Sequence, residues 1–150
     1  MDLRFSLAVP REAPSIPMIR RVVGDALRGL GVAEDCVTDI LVAASEACTN
    51  VVQHSRADGG FTVAGRVAGG TCLLSITDRG RGPRPVPPPK ELDDLSESGR
   101  GIRIMRALMD DLSIDSVPGS GTVVQLRKRL TWRDESPIGR LGHRLLHSAG

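Results

Sequence analysis

The sequence predicts an α+β fold: a two-layer sandwich in which a mixed, mainly antiparallel sheet carries helices on one face. Three observations predict it. Apolar residues recur at three- and four-residue steps over residues 15–30 and 34–54, the period of amphipathic helices. Residues 61–67 and 71–77 are strand-like and are joined by Ala68-Gly69-Gly70, a hairpin connection. The resulting order of strand, helix, helix and hairpin departs from strict βαβ alternation, which favours antiparallel pairing with the helices on one side.

The 150 residues suffice for one domain with a real core. Phe5, Phe61 and Trp132 are the only aromatic residues, so aliphatic side chains must fill that core. The net charge of +2, with both signs interspersed, lacks the concentrated basic face that nucleic-acid binding calls for. The scarcity of aromatic stacking platforms argues against single-strand binding. Cys36, Cys48 and Cys72 form no CxxC pair and lie in apolar settings, which predicts buried thiols in a reducing cytoplasm. Residues 1–9 alternate rather than forming a continuous apolar stretch, so no signal peptide is expected there. No apolar run approaches the roughly 18 residues of a membrane span.

In chain order, Leu3, Phe5, Leu7 and Val9 alternate with Asp2, Arg4, Ser6 and Ala8, a half-buried strand stopped by Pro10. The helix over 15–30 carries Ile19, Val22, Val23, Ala26, Leu27 and Leu30 inward, with Gly31 as its stop. Its other face carries Arg20, Arg21, Asp25 and Arg28, an ordinary solvated face. The helix over 34–54 carries Val37, Ile40, Leu41, Ala44, Cys48, Val51 and Val52 inward. After the hairpin, residues 83–89 hold five prolines, which no helix or sheet interior tolerates. With residues 90–98 they predict a long irregular segment able to wrap over a ligand. A helix follows to about Met109, opened by Ser98-Gly99-Arg100-Gly101. Leu112 and Ile114 make a strand, Pro118-Gly119-Ser120-Gly121 turns the chain, and residues 122–130 make a closing strand that alternates Val124, Leu126 and Lys128 against Val123, Gln125 and Arg127. The division predicted is a domain over 1–130 and a basic tail over 131–150. In that tail Ile138, Leu141 and Leu145 have helical spacing, and His143 and His147 have metal-compatible spacing but no nearby carboxylate or cysteine to complete a site.

Four motifs carry chemistry. Glu46 and Asn50 are four apart on the second helix, so a carboxylate and a carboxamide share one face. An amide oxygen suits Mg²⁺, and a carboxylate can take a proton from an attacking hydroxyl. Alone, the pair is weak evidence, because a carboxylate and a carboxamide one turn apart are usually just a solvated helix face. Asp78-x-Gly80-x-Gly82 ends the hairpin's second strand. The glycines would let backbone approach a flat ligand, and Asp78 would accept a hydrogen bond from its amino group; alone this is an ordinary Asp-x-Gly turn. Gly99-x-Gly101 before a helix would expose N–H groups to an anion, or make a plain glycine turn. It is neither a P-loop nor a dinucleotide fingerprint. Gly121-Thr122 opens the closing strand.

In their order these motifs resemble the GHKL ATPase superfamily over roughly residues 3–130. The wording Ser45-Glu46-Ala47-Cys48-Thr49-Asn50 and Ser98-Gly99-Arg100-Gly101-Ile102-Arg103-Ile104-Met105 is most similar to the small anti-sigma-factor serine/threonine kinases of bacteria. The resemblance implies a Bergerat-type sandwich, ATP and Mg²⁺ as cofactors, and commonly a homodimer. It implies Asn50 as the Mg²⁺ ligand, Glu46 as general base, Asp78 as reader of the adenine amine with Thr122 assisting, Gly80 and Gly82 as the first glycine turn, and Gly99 and Gly101 closing on the phosphates. It implies two protein partners, a sigma factor that is held and a STAS-type anti-anti-sigma protein that is phosphorylated. The competing expectation is a non-catalytic ATP-binding module that regulates transcription by contact alone; retention of both Glu46 and Asn50 weighs against it.

Overall fold

The computed structural model describes residues 1–54, 59–78, 91–117 and 121–133. Strand β1 (Asp2–Val9) is followed by helices α1 (Ser15–Gly29) and α2 (Glu34–His54). The hairpin β2 (Phe61–Ala68) and β3 (Thr71–Asp78) follows, then α3 (Glu91–Leu108), β4 (Asp111–Val117) and β5 (Gly121–Arg129). The five strands form one sheet in the order β1-β2-β3-β5-β4. All four pairings are antiparallel.

Alternation decides which face of the sheet is covered. Phe61, Val63 and Val67 of β2, Cys72, Leu74 and Ile76 of β3, and Val124 and Leu126 of β5 point to one side and are buried. Helix α2 lies over β3 and β5, while α1 and α3 flank α2. The stripe expected on α2 is the centre of the core, with Val37, Ile40, Ala44 and Cys48 essentially inaccessible. From α1, Ile19, Val23 and Leu27 join the same cluster. Phe5 of β1 stands directly opposite Gly65 of β2. Any Cβ at Gly65 would run into the Phe5 ring, so this glycine is where the aromatic side chain lies over bare backbone.

The connections follow from backbone chemistry. Gly69 and Gly70 both have positive φ, at 60° and 74°, as a two-residue type I′ hairpin requires. Helix α1 ends where Gly31 takes φ 90°. The Gly31 N–H donates to the Arg28 carbonyl and the Val32 N–H to the Leu27 carbonyl, which closes a Schellman motif with Val32 buried as its apolar seal.

Two boundaries differ from expectation. The third helix begins at Glu91 rather than at the Ser98-Gly99 step, so 91–98, expected to be irregular, is helical. Carboxylates at Glu91, Asp93 and Asp94 in a first turn, with Leu92 and Leu95 three apart, favour a helix start there over one at two glycines. The tail expected from residue 131 is docked at its beginning. Trp132 bridges Val32, the Ala33 N–H donates to the Thr131 carbonyl, and the Arg133 N–H donates to the Gly31 carbonyl. The connector between α1 and α2 thus borrows a short antiparallel partner from the chain leaving β5. Residues 134–150, with His143 and His147, lie outside the described residues.

All three cysteines are free and buried. Burial pushes the Cys48 and Cys72 thiols up to about 12. Both thiols are therefore harder to ionise folded than unfolded. Their contribution to stability is complete below the unfolded value of 9.0 and is lost as pH rises from there towards 12. At pH 10 the expected loss is about 1 kcal/mol per thiol. Urea midpoints at pH 8 and pH 10 measure it, and equal midpoints would contradict it. Among the described residues no helix is long and apolar enough to cross a membrane.

Candidate functional site

The candidate residues fall into two groups, Asp78 with Thr122 at one end of the sheet and Glu46, Asn50 and Gly101 between α2 and α3. Glu46 and Asn50 lie one turn apart on α2, both half-buried beside the apolar stripe. Ser45 turns back to its own helix, its Oγ donating to the Leu41 carbonyl at 2.6 Å. Cys48 faces the core and has no part in the polar side. The side chain of His54 lies outside the described residues.

Asp78 closes β3. It is 7% exposed, one of two buried polar residues among the described residues, and its Oδ1 is buried without a hydrogen bond. The residue makes another polar interaction. Its cross-strand neighbour in β2 is Phe61. On the other side Thr77 pairs with Val123, which sets Thr122, half-buried, beside Asp78 on the adjoining strand. The register thus places Asp78 and Thr122 side by side across more than forty residues of sequence. Gly80, Gly82 and the proline-rich stretch 83–89 lie outside the described residues.

Helix α3 packs against α2 beside Glu46 and Asn50. A Cβ built on Gly101 would lie 3.1 Å from Glu46 Oε2, 3.6 Å from Asn50 Nδ2 and 3.7 Å from Asn50 Oδ1. Two motifs about fifty residues apart therefore meet, with a Cβ at Gly101 sitting tightly against the carboxylate. The position of the pair within its helix differs from expectation. Gly99 and Gly101 are inside α3, not ahead of it, and form no free helix start for an anion in this structure. The physical consequence is testable. Nothing lies within 4 Å of a Cβ at Gly99, so Gly99→Ala is expected to stabilise the protein by up to about 1 kcal/mol through helix propensity. Gly101→Ala carries the same propensity gain but crowds Glu46, and is expected to gain less or lose. Paired thermal melts separate the two; equal gains would mean that α3 does not press on Glu46.

The arrangement has the chemistry of a nucleotide site. A buried carboxylate oxygen at a strand end can receive an amino group. A carboxamide and a carboxylate one turn apart can serve one metal oxygen position and one proton position. Mg²⁺ prefers oxygen ligands, keeps several waters and takes others from phosphates. Motif reading assigned no role to Lys128, although a charge at an inward position of β5 was visible in the alternation.

Residues 9–128 match a family described as the histidine kinase-like ATPase domain. The chain is 29% identical over 138 residues to the serine-protein kinase RsbW of Bacillus velezensis, covering 84% of this chain and 85% of that protein. It is 32% identical over 137 residues to the anti-sigma F factor of Clostridium botulinum, covering 86% of this chain and 93% of that one. Among solved structures, the RsbU and RsbW domains of Rv1364c from Mycobacterium tuberculosis superpose with a TM-score of 0.66 at 24% identity. That match covers 85% of this chain and 32% of the larger one, and it supports the fold.

Proposed function

The chain belongs to the histidine kinase-like ATPase domain family, and from that premise we propose that it is an ATP-dependent serine/threonine protein kinase that acts as an anti-sigma factor. It phosphorylates a STAS-type anti-anti-sigma protein and holds a sigma factor, working as a homodimer in the cytoplasm. The observation that carries the reading is the meeting of Glu46, Asn50 and Gly101. A scaffold acting by contact alone has no use for a carboxylate and a carboxamide kept one turn apart under a glycine.

Bound Mg-ATP supplies the phosphoryl group. Asp78 accepts a hydrogen bond from the adenine amine, and Thr122 assists from the adjoining strand. The Asn50 carboxamide oxygen holds Mg²⁺. From α3, Gly99 and Gly101 leave room for the phosphates beside Glu46 and Asn50. Glu46 takes the proton of the attacking serine or threonine hydroxyl as that oxygen bonds to phosphorus and ADP departs. Catalysis on this scheme is mainly positioning and charge neutralisation.

Calorimetry with ATP, with and without Mg²⁺, tests the site. Tight binding that requires Mg²⁺ is expected in the wild type, with affinity falling about 10–100-fold in Asp78→Asn, the loss of a charge-assisted hydrogen bond. Equal and weak binding in both would leave a protein-binding module.

A further inference from the structure

Lys128 is a cation on the wrong side of its strand. Its β3 partner is the buried Cys72, so it points to the covered face of the sheet, where its side chain is 19% exposed. A lysine there is tolerated only when its ammonium is paired. The Nζ has two anchors. It donates to the Leu108 carbonyl, the last residue of α3, and it lies 3.5 Å from Asp39 Oδ2 of α2. A cation at a helix C-terminus meets both the open carbonyls and the negative end of the dipole.

The two anchors have a fixed relation to the candidate site. Asp39 precedes Glu46 by seven residues on α2, and Leu108 follows Gly101 by seven on α3. Seven residues are two turns, roughly 10 Å of helix axis. The helices therefore run antiparallel with two rungs. One is Asp39–Lys128–Leu108, and the other is Glu46 against Gly101. Ala43 and Met105, between the rungs, are fully buried. A slip of α3 by one residue would replace Gly101 with Arg100 or Ile102 against the Glu46 carboxylate.

We propose that Lys128 is a positioning residue: by tying the end of α3 to α2 it sets the register in which Gly101, and no larger residue, faces Glu46 and Asn50. The inference rests on the proposed function for its consequence in catalysis, but the register itself can be read without nucleotide.

The test is hydrogen exchange together with Mg-ATP affinity and phosphoryl transfer, on wild type, Lys128→Met, Lys128→Arg and Asp39→Asn. Lys128→Met keeps the aliphatic stem and removes the charge. The α3 amides of residues 101–108 should exchange at least 10-fold faster in it, with those of β1 and β2 unchanged. Transfer should fall about 10-fold, and Lys128→Arg should restore both. Asp39→Asn cuts one anchor at a partly exposed position and should show the same selective effect at about 3-fold, which keeps the test decisive if Lys128→Met folds poorly. Unchanged α3 exchange in both variants, or a uniform rise across the whole sheet, overturns the proposal. So does selective α3 exchange with affinity and transfer as in a functioning wild type. Selective exchange in a chain whose wild type binds no nucleotide supports the register role and refutes the kinase reading instead.

Discussion

Replacing Glu46 with alanine is expected to leave ATP bound and to lower phosphoryl transfer to the STAS-type substrate by about 10²–10⁴-fold. The nucleotide contacts assigned to Asp78, Thr122 and Asn50 do not involve Glu46, so affinity should be nearly unchanged. The loss should fall on turnover, because the carboxylate matters only once the acceptor hydroxyl begins to give up its proton. The range corresponds to about 3–5 kcal/mol of barrier. The half-buried setting of Glu46 beside Gly101 favours a discrete role over a solvated one. Transfer by Glu46→Ala at the wild-type rate would remove Glu46 from the chemistry. A large loss of affinity would assign it to binding instead.

Truncating Phe61 to alanine is expected to cost about 3–5 kcal/mol of stability, the range for an aromatic side chain deleted from a core, and to lower the melting temperature by about 10 °C. Phe61 is 1% exposed and is the largest fully buried side chain among the described residues. With so few aromatic residues in the chain, the small aliphatic neighbours cannot collapse to fill a cavity of that size. Phe61 also stands opposite Asp78, so nucleotide affinity should fall with stability. A cost below about 1 kcal/mol by urea denaturation would show that this end of the sheet is not packed as described.

Much of the fold was legible because its signals are periodic and local. The stripe of α2, the alternation of β1, the Gly69-Gly70 turn and the stop at Gly31 each depend on residues within a few positions of one another. The start of α3 was not legible in the same way. Two glycines suggested a boundary, but the acidic turn at Glu91 outweighs them. The candidate site was legible as a set of motifs, since Glu46, Asn50, Asp78, Thr122, Gly99 and Gly101 each sit in a recognisable local pattern. How they meet was not.

By itself, then, the sequence determined the kinds of element, their order, the inward faces and the residues able to do chemistry, because side-chain periodicity and backbone freedom act over one or two turns. Only the tertiary structure decided that β5 inserts between β3 and β4, which puts Thr122 beside Asp78. It alone decided that α3 runs antiparallel to α2 with Gly101 at Glu46, and that Lys128, visible in the chain only as a charge at an inward strand position, joins the two helices. Strand order and helix register are set by which apolar surfaces bury one another across long stretches of chain, and no local pattern encodes that choice.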